Sequence, residues 1–236
     1  MFDVDAVAFD LDGTLLDTIH DLAAAVNQLL CEHGLAPLPK DTIRDLVGRG
    51  IANLVARSWA LAGAAPPGEQ QMAALLSRYQ EIYRGLLGRE SVLFPGVATA
   101  LQQLRDLGLP LAVISNKASR FVQPHLDIAG IGGYFCVVIG ADDAGHKKPH
   151  PAPMHLTALR LGVAPRRMLM VGDSANDVQA SRAAGCPVLI VPYGYSEGRP
   201  VQSLGSDGIV DSLQAITRLL RRSERQAGSR LDRVPK

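Results

Sequence analysis

The chain has 236 residues, 47% of them hydrophobic and 20% charged, which is enough to bury one large core or two modest ones. Its 24 basic and 23 acidic residues leave a net charge of +1, so no global field favours nucleic acid or a membrane surface. Cys31, Cys136 and Cys186 lack metal or redox spacing, no apolar run reaches the length of a membrane span, and the N-terminus lacks a signal-peptide pattern; the expectation is a cytoplasmic protein with reduced thiols.

Val4, Val7 and Phe9 read as a short buried strand that ends in Asp10 and Asp12, with Gly13 immediately after. Alternation places both carboxylates on one side of the extended chain. Two acids this close repel unless a cation or a shared proton compensates, so the stretch predicts a bound metal, a proton-transfer pair, or both. A calcium loop does not fit, because the glycine comes fourth after Asp10 is counted first, and not sixth. Thr18 then caps a helix through Leu22, Val26, Leu29 and Leu30, with Asp21 near its positive end. A second helix starts at Lys40 or Asp41 and runs to Gly48-Arg49-Gly50, a third carries Ile51 to Trp59, and a fourth spans Glu69 to Leu87. No strand signal appears from Thr18 to Leu87, which reads as an all-helical insert.

Beyond it the texture changes. A helix opens at Phe94-Pro95-Gly96, and Leu111–Ile114 reads as a strand ending in Ser115-Asn116-Lys117. A helix from Ser119 to Ala129, a strand from Tyr134 to Ile139 and the run Lys147-Lys148-Pro149 follow. Then come a helix over Pro153–Leu161, a strand over Met168–Val171 ending in Gly172-Asp173-Ser174, a helix over Val178–Ala184 and a strand over Val188–Val191. A last helix is expected over Ser212–Arg221, and a polar, basic, disordered tail from Arg222. Strands alternating with helices of this length predict an α/β fold with a doubly wound parallel sheet. The expected division is a core of residues 1–16 and 89–221 with the helical insert at 17–88.

In such a sheet the carboxyl ends of the strands lie side by side and bind ligands. Asp10, Asp12, Ser115, Asn116, Lys148, Asp173 and Asp177 are therefore expected at one rim. The inventory suits phosphoryl transfer. Carboxylates hold magnesium, which favours oxygen ligands and substrate phosphates. A hydroxyl and an ammonium offset charge on the transferring group. One aspartate can attack to form an aspartyl-phosphate, while the other protonates the leaving oxygen and later deprotonates water. A non-enzymatic receiver-type domain has a similar inventory and stores the phosphate, but it offers no place for the helical insert.

The runs DLDGTLLDT, ISNK, KKPHPAP and VGDSANDV resemble, in order and spacing, the four signature motifs of the haloacid dehalogenase superfamily, and the helical insert matches the position of its small cap. LLDTIHDLAAAVN, VIGADDAGHKKPHPAP and VGDSANDVQASRAAGCPVLIVPYGYSEGRP are similar to bacterial phosphoglycolate phosphatases within it. The resemblance implies Asp10 as nucleophile and magnesium ligand, and Asp12 as general acid/base with its main-chain carbonyl on the metal. It further implies Ser115, Asn116 and Lys148 at the phosphoryl group, Asp173 as a metal ligand, and Asp177 as support for the metal shell. Asp12 speaks for a phosphate ester and against a halide, which leaves without a proton. The expected function is Mg2+-dependent hydrolysis of 2-phosphoglycolate by a monomer or homodimer, with another small phosphate ester, such as a sugar phosphate, or pyrophosphate as the alternative. Arg49 is the candidate substrate-selecting residue, because arginine binds carboxylates bidentately. The histidines, His125 among them, read as core or surface residues.

Overall fold

The structure, a computed structural model, describes residues 1–221. In chain order the first elements are β1 (Phe2–Asp3), β2 (Ala6–Phe9), β3 (Leu16–Asp17), α1 (Ile19–Glu32), α2 (Lys40–Arg44), α3 (Ile51–Leu61), α4 (Glu69–Leu86) and β4 (Val92–Leu93). They continue with α5 (Val97–Asp106), β5 (Leu111–Ile114), α6 (Ser119–Ile128), β6 (Val137–Ile139), α7 (Ala152–Leu161) and β7 (Met168–Gly172). The described chain closes with α8 (Ala175–Ala184), β8 (Val188–Ile190), β9 (Gly208–Ile209) and β10 (Leu220–Arg221).

Six strands form one parallel sheet in the order β6-β5-β2-β7-β8-β9. The strands are apolar on both faces, as a sheet covered by helices requires. Period two sorts them: Val7, Phe9, Leu111, Val113, Leu169 and Val171 face one core with Leu101 and Leu104 of α5 and Val122 and Leu126 of α6. Ala6, Ala8, Ala112, Ile114, Met168 and Met170 face the other, with Met154 of α7 and Val178 of α8. The chain runs outward from β2 through β5 to β6, then returns to β7 on the opposite side. The switch point of the doubly wound sheet is therefore the carboxyl end of β2.

All four helices between β3 and β4 pack on one another, through Leu22, Val26, Leu54, Trp59, Tyr79 and Tyr83 among others; Phe121 and Tyr195 join the same cluster from the sheet side. β3 and β4 pair antiparallel, Leu16 with Leu93 and Asp17 with Val92, and form a two-residue stem under the helices. No described helix is long and apolar enough to cross a membrane.

Several local expectations are corrected. The first strand divides in two, and β1 pairs in parallel with β10 at the far end of the described chain. Residues Ser212–Arg221 are not an α-helix: Leu213–Leu219 form a 3₁₀ segment and Leu220–Arg221 a strand. Buried Leu213 and Ile216 lie three apart, the spacing that eclipses in a 3₁₀ helix. Gly132–Tyr134 are likewise 3₁₀, so the strand expected from Tyr134 begins at Val137. Thr18 stands at the N-cap of α1 without a side-chain cap bond. The Tyr195 hydroxyl accepts from the Thr18 and Ile19 amides at 2.8 and 3.0 Å instead. Asp21 turns away to accept from the Glu90 amide and the Ser91 hydroxyl at 2.9 and 2.6 Å. The tail expected to be disordered from Arg222 lies outside the described residues.

Candidate active site

At the end of β2 the Asp10 amide still bonds to Val171 of β7 at 2.9 Å, which fixes the residue at the sheet's rim. Gly13 turns the chain immediately afterwards with φ +91°, a left-handed conformation, and a Cβ there would stand 2.2 Å from Asp173 Oδ2. A Cβ on Gly194 would meet Asp173 Cβ at 2.3 Å. These two glycines let the loops after β2 and β8 close over Asp173.

Asp173 is 2% exposed. Its carboxylate accepts from the Thr14 hydroxyl at 3.0 Å and from the Tyr195 amide at 2.5 Å. Asp177 caps the start of α8, one oxygen accepting from the Ser174 amide and hydroxyl at 3.1 and 2.7 Å. Its other oxygen accepts from Lys148 Nζ at 2.6 Å. The same ammonium donates to the Ile114 carbonyl at 2.6 Å and lies 3.0 Å from Asp10 Oδ1. All three of its donors are thus engaged. Asp10, Asp173 and Asp177 each bring a carboxylate oxygen within 4.8 Å of the others'.

So many acids in one dry place perturb each other. Burial, followed by the Asp177 and Asp12 charges, raises the Asp10 pKa to about 7, even though Lys148 pulls it down. Burial, then Asp10 and Asp177, push Asp173 well above the usual carboxylate range. Burial alone would lower Lys148, but Asp10 and Asp177 raise it overall. Hard oxygen donors that hold surplus negative charge suit a hard divalent cation, and the buried cluster fits one.

Asp12 faces elsewhere. Its Oδ1 lies 2.9 Å from Nζ of Lys117, a pairing that outweighs burial and holds its pKa below the ordinary value. Lys117 was not singled out from the sequence. It stands two residues after Ser115, as Asp12 stands two after Asp10, and that shared spacing is the signal that would have found it. A narrow cavity of about 50 Å³ lies between sheet and helices. Asp10, Asp12, Ser115, Asn116 and Lys117 form its sheet side, and Leu22, Val47, Ile51, Leu54 and Tyr83 line the helical side. Asn116 donates to the Gly48 and Lys148 carbonyls, both at 2.8 Å, and so ties the two sides together.

The expected rim residues therefore converge, whereas Arg49, expected to meet the substrate from the helical insert, does not line the cavity. The Arg49 guanidinium forks onto Glu197, with three contacts of 2.7 to 3.1 Å.

His125 of α6 is fully buried, and neither ring nitrogen has a hydrogen-bond partner among the described residues. Burial, then the Lys117 ammonium, lower its pKa from 6.5 to about 4. As pH falls through this window the unfolded chain takes up a proton that the native chain refuses, so stability declines from about pH 6.5 toward 4. His125→Leu should remove about 2–3 kcal/mol of the loss between pH 7 and 4.5. Urea unfolding at both pH values measures this, and an unchanged slope would assign it to other groups.

The chain belongs to the haloacid dehalogenase-like hydrolases, whose family model matches residues 4–185. It is 43% identical over 220 residues to the phosphoglycolate phosphatase of Nitrosospira multiformis, covering 93% of this chain and 97% of that protein. It is 40% identical over 230 residues to the phosphoglycolate phosphatase of Escherichia coli K12, covering 91% of each. Among solved structures, a predicted phosphoglycolate phosphatase of Haemophilus somnus superposes with a TM-score of 0.87 at 31% identity, covering 93% of this chain and 99% of that one.

Proposed function

We propose that the protein is a magnesium-dependent phosphatase that hydrolyses 2-phosphoglycolate to glycolate and phosphate through an aspartyl-phosphate. The observation that carries the chemistry is the division of labour between the two acids after β2: both line the cavity, but Asp10 belongs to the buried carboxylate cluster, whereas Asp12 stands outside it and pairs with Lys117. The named activity of relatives more than 40% or 40% identical over most of their length supports the substrate.

In this reading the negative charge of the bound substrate raises the Asp12 pKa above its resting value so that the carboxyl holds a proton. Asp10 attacks phosphorus while Asp12 gives that proton to the ester oxygen, and glycolate leaves as the O–P bond breaks. Water then attacks the aspartyl-phosphate, Asp12 takes back a proton, and phosphate departs from a restored Asp10. Ser115 and Asn116 orient the phosphoryl oxygens, and Lys148 balances charge beside Asp10. Asp10, Asp173 and the Asp12 main-chain carbonyl would hold magnesium, with Asp177 fixing Lys148 and the start of α8. Bound there, the ion neutralises phosphoryl oxygens and lowers the charge that the carboxylates impose on one another. The helical insert acts as a cap that excludes water, and Arg49 contributes to substrate choice by holding the cap on Glu197.

Phosphate release should require magnesium, stop in EDTA and be fastest on 2-phosphoglycolate in a panel with sugar phosphates, phosphoserine and pyrophosphate. A panel led by another ester would keep the mechanism and replace the substrate. Stable retention of one phosphate per chain would return the receiver reading. Asp12→Asn should cost about 10²–10⁴-fold on the alkyl ester. Measured as kcat/KM, which reports formation of the aspartyl-phosphate and not its hydrolysis, the cost should be much less on p-nitrophenyl phosphate, whose leaving group needs no proton; equal losses in kcat/KM on both would remove the acid role of Asp12.

A further inference from the structure

A cation favours recognition of the carboxylate of 2-phosphoglycolate, and Arg49 is already committed to Glu197 and does not line the cavity. Lys117 is the one cationic side chain among the described residues lining the cavity. It is 6% exposed, and its ammonium is held between Asp12 at 2.9 Å and the Tyr83 hydroxyl at 2.5 Å. Its backbone N–H donates a hydrogen bond to Ser115 Oγ at 3.2 Å. Tyr83 is itself locked, with its ring 5.9 Å from Tyr79 and edge-on to Phe121 at 5.3 Å. A lysine already held in this way has little freedom left to lose on binding an anion.

The position matters more than the charge. In 2-phosphoglycolate the ester oxygen and the carboxylate are borne on adjacent carbons, so the ester oxygen and the nearer carboxylate oxygen lie about 3 Å apart. An acid that protonates the ester oxygen must touch it. A cation in hydrogen-bond contact with that acid is therefore within reach of the substrate's carboxylate and of little else on so small a molecule. The cavity also receives Gly50 and Ile51 at the start of α3, a helix end without a side-chain cap. Its free amides add to the positive potential but do not define the site alone.

We infer that Lys117 is the specificity-determining residue, binding the carboxylate next to the scissile ester, and that Tyr83 of the helical insert positions it. The inference rests on the proposed phosphoglycolate activity. It also makes recognition depend on both halves of the molecule: the cation stands on the sheet side, and the hydroxyl that holds it comes from the helices.

The test compares kcat/KM for 2-phosphoglycolate with that for ethyl phosphate, which has the same chain length and no carboxylate. In Lys117→Met the ratio of the two should fall about 100-fold, the scale of a lost buried charge contact. Tyr83→Phe should lower the same ratio by a smaller factor. Lys117→Gln, which keeps a donor for Asp12, gives the same information if the methionine chain does not fold. Binding of 2-phosphoglycolate to Asp10→Asn, measured by calorimetry with and without Lys117→Met, should weaken in parallel. A variant that loses both substrates equally would make Lys117 a partner of Asp12 only and overturn the inference. A wild-type enzyme without preference for 2-phosphoglycolate would instead overturn the activity on which it rests.

Discussion

Asp10→Asn is expected to lower phosphate release by at least about four orders of magnitude, as loss of a covalent nucleophile does, while leaving the fold intact. The same substitution should raise stability in EDTA. The Asp10 pKa is lifted from 3.8 to about 7, so the native chain holds a proton that the unfolded chain has released. Stability in the metal-free protein therefore falls as pH rises through that window, and the asparagine variant escapes this loss. Thermal unfolding in EDTA should show the variant above the wild type at pH 8, with the gap closing toward pH 4. Magnesium should raise the wild-type midpoint more than the variant's, because an ion that binds the native chain stabilises it by mass action. A variant less stable than the wild type at pH 8 in EDTA would contradict this account of the carboxylate cluster.

The opposite change, Lys148→Met, removes the cation that three groups share. Asp10, Asp177 and the Ile114 carbonyl all lose their partner at once, and two of them are buried carboxylates. Breaking a buried ion pair by removing one member costs about 3–5 kcal/mol, because the remaining charge is left desolvated. The loss should be largest at pH 8 in EDTA and smaller toward pH 5, where Asp10, its pKa raised to about 7, takes up a proton. Urea denaturation at the two pH values measures it, and turnover should be lost in the same protein. A methionine variant as stable as the wild type at pH 8 would show that Asp177 and Asp10 do not depend on Lys148 for charge balance.

The parts of this arrangement that were legible in the sequence are those governed by local rules. Parallel strands deliver their carboxyl ends to one rim, so Asp10, Ser115, Lys148 and Asp173 could be gathered without knowing a single contact. Helical periodicity from Leu22 to Tyr83 marked the insert, and Gly13 after two acids marked a tight turn. What stayed hidden depends on pairings over long separations. β1 meets β10 across nearly the whole described chain, and each is two residues long, too short to carry an alternation. Arg49 finds Glu197 at a separation of 148 residues, and Lys117 finds Asp12 at 105. A local reading of Gly48-Arg49-Gly50 offers the guanidinium to the substrate; only the fold reveals that Glu197 is nearer. Tyr195 likewise displaced Thr18 from its capping role through a loop that no helix signal could foresee.

The stem of β3 and β4 brings the start and end of the helical insert side by side, antiparallel and two residues wide. A segment attached in this way is a cassette. Its length and shape can change without re-registering any strand of the main sheet, since closing a longer loop costs little more than closing a shorter one. Descendants can therefore trade selectivity while inheriting the reactive carboxylates unaltered. Lys117 sets a limit on that drift. It belongs to the inherited half, so a transplanted insert would still close over a floor that carries this ammonium and would start its history biased toward acidic esters.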